Sequence, residues 1–285
     1  MDNKEIVLKT LNIIPKIKEI LENNNIKIEK KEGVGNFVTT TDKKIENYLK
    51  KSILEIFPKA KIIAEESSNQ IIENEDAKIK FIIDPIDGTT NYTNAWPFAT
   101  SIGIANNDEL IGGILYEILE EKVYVGIKNE GVLKSDINNI LDLKEVRKPI
   151  YDKSEIKKAV ISYDIPYGNE AFELTKEMCS KLYYEGASLK TVGPISLDVL
   201  KMALGQENRP KDYNLATWHI EVRAWDLAGV TCIVRELGGE IIGKDGKPLP
   251  IKLLTNPSEK ITFIASGNEI LRNKIFDKYK EIIKN

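Results

Sequence analysis

The chain has 285 residues, 42% of them hydrophobic, so it can bury one large core or two small ones. Its 41 basic and 44 acidic residues give a net charge of −3, which provides no general attraction to nucleic acid or to an anionic membrane. No apolar run reaches the length of a membrane span, and the first residues lack a signal-peptide pattern. We therefore expect a cytoplasmic protein that binds neither nucleic acid nor membranes.

The first elements along the chain are two predicted helices. Apolar residues recur at helical spacing over residues 4–22, where Pro15 should kink the helix or end its first half. Residues 42–56 show the same spacing, and Asp42 at their start is a good N-cap. A capping role does not exclude Asp42 from a functional site, because a capping carboxylate keeps one oxygen free.

From residue 60 onward, short apolar runs replace the helical pattern and indicate strands. The predicted strands are 60–64, 79–83, 99–106, 110–118 and 122–127. Asp108 and Glu109 between two of them predict a hairpin turn. The polar stretch 135–155 lacks periodicity. We place there the boundary between subdomains of about 1–145 and 146–285 within one domain.

Beyond that boundary, predicted strands and helices alternate, which is typical of an α/β fold. The predicted strands are 158–162, 188–192 and 261–265. The predicted helices are 169–183, 196–204, 225–237 and 268–283.

The most informative motif follows the predicted strand 79–83 and reads Asp84-Pro85-Ile86-Asp87-Gly88-Thr89-Thr90-Asn91-Tyr92. It predicts a turn with two carboxylates, in which Pro85 fixes the backbone and Gly88 permits a close approach to a ligand. Carboxylates hold a hard cation such as Mg²⁺, whereas the N–H and hydroxyl groups that follow bind phosphate. Two Asp residues alone in such a turn would favour a purely structural role. The full string favours a site for phosphoryl transfer.

This string resembles the signature of the inositol monophosphatase family of metal-dependent phosphatases. Ile62-Ile63-Ala64-Glu65-Glu66-Ser67 resembles the family's strand that ends in an acidic pair. Trp225-Asp226-Leu227-Ala228-Gly229 through Glu236-Leu237-Gly238-Gly239 resembles its second signature, and Val38-Thr39-Thr40-Thr41-Asp42 lies upstream in the expected order. The resemblance implies a mixed α/β fold, a layered αβαβα sandwich shared with fructose bisphosphatases, with the active site between two halves.

The resemblance also implies a set of Mg²⁺ ligands from three remote segments. Glu65, Asp84 and the backbone carbonyl of Ile86 would hold a first ion. Asp84, Asp87 and Asp226 would hold a second, and a third ion near Glu65 stays open. Considered alone, Asp226 at the start of a predicted helix is more typical of a helix cap.

The implied reaction is the hydrolysis of a phosphate monoester by a water that the metal activates. Thr89, held by Asp42, would orient this water, and Glu65 would take its proton. Glu66 either supports Glu65 or is a solvated neighbour. Gly88, Thr89 and Thr90 would bind the phosphate oxygens, and Asp87 is a further expected substrate contact.

The half of the site that would hold the alcohol departs from the family pattern. The departures are Pro194 after Gly193, a longer loop over 206–212, and His219. His219 stands where inositol phosphatases usually carry a Glu that contacts substrate hydroxyls, and a place at the edge of the core is an equal alternative. Glu221 or Arg223 could take the role in a shifted register. The candidate substrate contacts on this side are Gly193, His219 and Arg223.

These features predict a Mg²⁺-dependent phosphatase of sugar or polyol phosphates, with inositol monophosphate as the first substrate. Fructose bisphosphate is the main alternative, alone or as a second substrate, and a 3′-phosphoadenosine nucleotide ranks lower because no adenine pocket is evident. A regulatory binding protein is the alternative outside enzymes. The complete set of carboxylates argues against lost activity and leaves a second, regulatory role open. The resemblance further implies a homodimer. The apolar segments 102–104 and 111–115 could supply its interface or could belong to the core.

Overall fold

The structure is a computed structural model, and its description covers residues 1–23, 27–30, 37–68, 77–149, 155–166, 168–205 and 215–284. The helices are α1 (Asn3–Leu11), α2 (Pro15–Glu22), α3 (Thr40–Ile56), α4 (Thr89–Thr93), α5 (Asn169–Tyr184), α6 (Ile195–Leu204), α7 (Ala224–Glu236), α8 (Ile251–Leu254) and α9 (Glu269–Ile283). The strands are β1 (Ile28–Lys30), β2 (Phe37–Thr39), β3 (Lys61–Ala64), β4 (Ile79–Asp87), β5 (Ala99–Asn106), β6 (Glu109–Glu117), β7 (Lys122–Ile127), β8 (Gly131–Asp136), β9 (Lys144–Glu145), β10 (Val160–Ser162), β11 (Ser188–Lys190), β12 (Leu215–Val222), β13 (Glu240–Gly243) and β14 (Ile261–Ser266).

The described strands form three sheets. A seven-stranded sheet has the order β3-β4-β5-β6-β7-β8-β9, with β3 parallel to β4 and the other neighbours antiparallel. A five-stranded sheet has the order β11-β10-β12-β14-β13, with β10 parallel to both of its neighbours. β1 and β2 form a separate antiparallel pair.

Helices and the two large sheets alternate in five layers. α1, α2 and α3 cover the outer face of the seven-stranded sheet, and α5 and α9 cover the five-stranded sheet. α6 and α7 lie between the sheets in a shared apolar core. Each of the two large sheets thus buries both of its faces against helices, which confirms the predicted αβαβα sandwich.

Small residues allow α7 to pack unusually close to the seven-stranded sheet. A Cβ atom on Gly113 would lie 1.8 Å from the carbonyl oxygen of Gly229, and a Cβ on Gly103 would lie 2.4 Å from the Cβ of Ala228. The sheet backbone therefore touches the helix backbone, and no larger residue fits at these positions. This contact fixes the start of α7, and with it Asp226, against the middle of the sheet.

The predicted elements differ from the observed ones in a few places. The helix predicted over 4–22 ends its first half before Pro15, which is one of the two expected effects of this residue, and Pro15 occupies the first turn of α2, where its missing N–H is tolerated. β12 was not predicted, although Thr217, His219 and Glu221 alternate with apolar residues in the way that indicates a strand. β13 and the short elements β1, β2, β8, β9, α4 and α8 were also not predicted.

The apolar segments 102–104 and 111–115 belong to the core. Ile102, Ile104 and Ile111 are fully buried within the chain, so these segments are not available as a dimer interface. The division into subdomains near residue 145 stays a prediction. The seven-stranded sheet ends at residue 145 and the first strand of the five-stranded sheet begins at residue 160.

Two predictions fall on residues that the description leaves out. The irregular stretch 135–155 is described only through residue 149 and at residue 155, and the loop 206–212 lies wholly outside the described residues. Within the part of the chain that is described, no helix combines the length and the apolar character needed to cross a bilayer.

Candidate active site

A bulge in β4 brings two of the predicted metal ligands to one face of the sheet. Asp84 pairs with Ser101 and Asp87 pairs with Ala99, so three steps along β4 match two steps along β5. In a regular strand, residues three apart project from opposite faces. The extra residue therefore turns both carboxylates to the same side.

The chain stays in β4 through the whole Asp-Pro-Ile-Asp string, so the turn predicted over that string is wrong. Pro85 lies inside the bulge, where a ladder N–H is not needed, and its carbonyl oxygen accepts a hydrogen bond from the Thr100 hydroxyl at 2.8 Å. The turn comes one step later, at Gly88, whose φ of +90° favours glycine. Gly88 then caps the short helix α4.

Asp84, Asp87 and Asp226 form a compact cluster of carboxylates. Each offers one oxygen, and the three atoms lie within 4.8 Å of one another. Burial, followed by repulsion from neighbouring carboxylates, raises the pKa of Asp84 well above its usual range. Burial likewise raises the pKa of Asp87 to about 7 and holds that of Asp226 well above its ordinary value.

This cluster fits a divalent cation. The Oδ1 atom of Asp84 is buried and has no hydrogen-bond partner in the described residues. Three enclosed carboxylates repel one another, and a hard cation that prefers oxygen ligands would relieve that repulsion and satisfy the open oxygen. Asp226 also accepts the backbone N–H of Arg223 at 2.7 Å, so its capping and site roles coexist.

The parallel pairing of β3 with β4 places the acidic pair beside the cluster. Carboxyl ends of parallel strands meet at one sheet edge, and the Glu65 N–H donates to the Ile83 carbonyl at 3.2 Å. The Glu66 N–H donates to Oε2 of Glu46, a buried residue of α3, at 2.8 Å. Glu46 therefore anchors the segment. The sequence contains one indication that Glu46 has a structural role, because it is an acidic residue next to Ile45 on the apolar face of the predicted helix.

Asp42 and Thr89 meet as the sequence predicts, although the capping of α3 differs from the prediction. The N-cap is Thr39, and Asp42 lies three residues later, where its Oδ2 accepts the Thr39 N–H at 2.8 Å. The other oxygen, Oδ1, accepts the Thr89 hydroxyl at 3.0 Å. Burial raises the pKa of Asp42 despite its hydrogen bonds. Oδ1 of Asp42 therefore positions the Thr89 hydroxyl.

The start of α6 holds the Asp87 carboxylate. Oδ1 accepts the backbone N–H of Ile195 at 3.2 Å, and Oδ2 accepts that of Ser196 at 2.7 Å. Helix N-terminal N–H groups stabilise negative charge, so they oppose the effect of burial on this carboxylate. The contact joins β4 to α6 across the site, and no local sequence pattern predicts it.

Gly193 lies where the turn before α6 packs against α4. Its φ of +109° and its proximity to Asn91 both require glycine, because an added Cβ would lie 2.9 Å from Nδ2 of that side chain. Asn91 donates to the carbonyls of Val192 and Pro97, each at 2.8 Å. Asn91 therefore joins the two halves of the site, a role that its place in the Asp84–Tyr92 motif alone does not reveal.

His219 lies at one end of a bulge in β12, and Arg223 directly follows that strand. The His219 side chain is 1% exposed, stacks on Phe263 and has Nε2 3.8 Å from Oδ2 of Asp198. Burial lowers its pKa to about 3, so the ring is neutral, and its position favours an interior role over a substrate contact. The Arg223 guanidinium donates to the Ser258 carbonyl at 2.9 Å.

All predicted site residues except Asp42 line one cleft of about 1300 Å³. Its walls come from the segment after β3, from β4 and from α4 on one side, and from β12, the start of α7 and the loops around them on the other. Asp42 lies behind Thr89. A cleft with a buried anionic cluster, backbone N–H groups and an oriented hydroxyl can hold a cation and a phosphate together.

Comparison with known proteins agrees with this arrangement. The profile of the inositol monophosphatase family matches residues 3–283. Inositol monophosphatase 1 of Bos taurus is 29% identical over 277 residues, which cover 91% of this chain and 87% of that protein. The fructose-1,6-bisphosphatase/inositol-1-monophosphatase of Aquifex aeolicus is 26% identical over 273 residues, covering 93% and 92% of the two chains.

The fold also matches solved structures. Extragenic suppressor protein suhB from Bartonella henselae superposes with a TM-score of 0.79 at 22% identity, covering 97% of this chain and 99% of that chain. The family profile covers nearly the whole chain and includes every acidic segment of the cleft. The chain is therefore a phosphoric monoester hydrolase that belongs to the inositol monophosphatase family.

Proposed function

We propose that the chain hydrolyses a polyol phosphate monoester, with inositol monophosphate as the first substrate, and that it uses Mg²⁺. The observation that carries this proposal is the cluster of Asp84, Asp87 and Asp226 within 4.8 Å, beside the hydrogen bond from Thr89 to Asp42. Family membership supplies the reaction class.

Five groups would hold the metal. Glu65, Asp84 and the Ile86 carbonyl would form one set of oxygen ligands, and Asp84, Asp87 and Asp226 would form another. A third ion near Glu65 stays open. When bound, Mg²⁺ lowers the pKa of water and offsets the negative charge of the phosphate. The chain itself supplies the geometry of these ligands.

The remaining residues position the reactants. The Thr89 hydroxyl is oriented by Asp42, accepts a hydrogen bond from the attacking water and directs that water toward phosphorus. Glu65 takes a proton from the water. Gly88 and Thr90, at the start of α4, donate to phosphate oxygens as charge moves toward the leaving alcohol.

Fructose bisphosphate is a second candidate substrate, because the Aquifex aeolicus relative carries both activities in its name. The regulatory alternative is supported by the name of one relative, Nus factor SuhB of Haemophilus influenzae, which is 28% identical over 215 residues. The nucleotide alternative is supported only by a likeness in fold, at 20% identity, to a solved IMPase/NADP phosphatase. The test is turnover of inositol 1-phosphate, fructose 1,6-bisphosphate and a 3′-phosphoadenosine nucleotide, each with and without Mg²⁺. Preference for either of the last two would refute inositol monophosphate as the first substrate.

Thr89→Ala is expected to lower kcat by roughly ten- to ten-thousand-fold, the range for losing a positioned proton-transfer partner. The substrate KM should change less, because backbone donors at the start of α4 remain. Thr93→Ala is the matched control, since the Thr93 hydroxyl donates to the Thr90 carbonyl within the same helix at 2.9 Å and does not line the cleft. A variant in which KM alone moved would make Thr89 a binding residue.

We also predict a homodimer, on the ground of family membership. Trp96 and Leu119 are 64% and 52% exposed, and the N–H of Ile118 donates to the carbonyl of Phe98, so their two segments adjoin. Large exposed apolar side chains that cluster are typical of interaction surfaces. Light scattering at micromolar concentration should give twice the chain mass of 32.2 kDa. A monomer mass would contradict the dimer and leave the mechanism untouched.

A further inference from the structure

Asn91, in the middle of α4, holds segments on both sides of that helix. Its Nδ2 atom donates to the Pro97 carbonyl and to the Val192 carbonyl, each at 2.8 Å. Its own carbonyl oxygen accepts the N–H groups of Asn94 and Trp96, at 3.0 Å and 2.9 Å. Asn91 therefore ties α4 to the loop that leads into β5 and to a turn 101 residues further along the chain.

The turn that accepts this hydrogen bond, residues 192–194, packs tightly against α4. A Cβ atom on Gly193 would lie 2.9 Å from Nδ2 and 3.0 Å from Oδ1 of Asn91. The next residue, Pro194, lies against the start of α4, since a Cβ atom on Gly88 would lie 2.6 Å from Cγ of this proline. Neither segment can therefore shift toward the other without displacing it.

The same turn leads directly into the N–H groups that hold Asp87. Ile195 and Ser196, the first residues of α6, donate to its two carboxylate oxygens at 3.2 Å and 2.7 Å. Asp87 belongs to the carboxylate cluster, and Thr89 begins α4 two residues later. Asn91 thus fastens the helix that carries Thr89 to the turn and helix that hold Asp87.

The chemistry of these contacts requires a primary amide at residue 91. One amide nitrogen carries two N–H donors, which match the carbonyl oxygens of Pro97 and Val192. A carboxylate of the same size only accepts, so it would face both carbonyl oxygens without a donor, and a hydroxyl has a single O–H to donate. Asn91 lines the cleft, yet no step of the proposed mechanism uses its side chain.

We propose that Asn91 is a positioning residue for the hydrolysis, which sets the place of the Thr89 hydroxyl and the Gly88 N–H relative to the Asp87 carboxylate. The transferred phosphoryl group lies between these groups in the transition state, where their relative placement matters most. Asn91 has no contact with the reacting atoms in this role. The inference rests on the proposed function, because it takes from it the parts of Thr89 and Asp87.

The main test compares Asn91→Asp with Asn94→Asp, using p-nitrophenyl phosphate so that no particular alcohol pocket is needed. Both variants replace an amide with a carboxylate of the same size. Asn94 is the matched control, because its exposed side chain donates to the Thr90 carbonyl at 2.8 Å and does not line the cleft. Asn91→Asp should lower kcat by roughly 10- to 100-fold, the loss expected when reacting groups are misplaced by about 1 Å, and should leave KM nearly unchanged. An unchanged kcat, a change in KM alone, or an equal loss in Asn94→Asp would overturn the proposal.

Asn91→Ser separates positioning from a purely structural role. Serine is too short and has too few donors to keep both hydrogen bonds, but it places no charge against the two carbonyl oxygens. This variant should stay folded, melt a few degrees below the wild type and still lose kcat. A variant that melted lower and kept its kcat would assign Asn91 a structural role alone and overturn the proposal.

Binding of orthovanadate in the presence of Mg²⁺, followed by vanadium NMR, tests the positioning independently of turnover. Vanadate adopts the five-coordinate geometry of the transition state, whereas inorganic phosphate stays tetrahedral. Asn91→Asp should bind vanadate roughly 10- to 100-fold more weakly than the wild type and phosphate about equally well, because affinity for a transition-state analogue follows the loss in catalysis. This result supports the proposal even if the wild type does not hydrolyse inositol 1-phosphate, which would refute the proposed substrate alone. Equal affinity for vanadate in the two proteins, or no binding to the wild type, would overturn the proposal.

Discussion

Exhaustive chelation is expected to reduce the hydrolysis of inositol 1-phosphate below detection, and added Mg²⁺ is expected to restore it. Asp84, Asp87 and Asp226 crowd three carboxylates within 4.8 Å, and Glu65 and Glu66 line the same cleft. A phosphate dianion entering this field would be repelled unless cations offset it. Metal ions supply several kcal/mol of charge stabilisation in such reactions, which corresponds to about a thousandfold or more in rate.

Circular dichroism of the chelated protein is the control for this experiment. The αβαβα core does not depend on the cluster, so the metal-free protein should keep its folded spectrum while activity disappears. A titration with Mg²⁺ at constant ionic strength then separates specific binding from salt effects. Full turnover after exhaustive chelation would contradict the metal mechanism.

The sequence identifies Asp84, Asp87 and Asp226, which lie within 4.8 Å of one another, through resemblance to the signatures of a known family. A buried strand that ends in acidic residues has few directions in which to place them, and the motif around Asp84 and Asp87 is long enough to be specific. The motif does not reveal the bulge. Pro85 indicates a turn, whereas the structure accommodates it by adding one residue to β4 and keeping the strand intact.

The contacts on the opposite wall of the cleft could not be predicted, because they join residues far apart in the chain. Glu221 and Lys260 are separated by 39 positions, and Asp87 meets Ser196 across 109. Periodicity reports only on residues within one element, so pairs of this kind leave no trace in a single sequence. The bulge between His219 and Val222 shifts the register of β12 against β14, and no sequence signal for this bulge is recognised here.

Asp84→Asn is expected to lower turnover by about a thousandfold or more, because it removes a ligand charge from both sets of metal ligands. Asp84 gives a cleaner test than Asp87. Both oxygens of Asp87 accept N–H groups at the start of α6, so an amide nitrogen there would face donors and destabilise the fold. Oδ1 of Asp84 has no such partner among the described residues. Asp87→Asn therefore serves as the comparison that loses stability as well as activity.

The metal-free stability of Asp84→Asn should exceed that of the wild type, and the difference should grow between pH 5 and pH 8. Burial raises the folded-state pKa of Asp84 well above its usual range and that of Asp87 to about 7, so the folded protein binds more protons than the unfolded chain above pH 4 or so. The contribution of these carboxyl groups to the free energy of unfolding therefore falls as pH rises. Above their folded-state pKa values, the repulsion between the charged carboxylates is fully present. Removing one carboxylate relieves that repulsion mainly at pH 8.

Melting temperatures in chelator at both pH values measure the difference, and Mg²⁺ should raise the melting temperature of the wild type more than that of the variant. An Asp84→Asn protein that melts below the wild type in chelator at pH 8 would show that the carboxylate stabilises the strand, and the metal-ligand role would lose its main support.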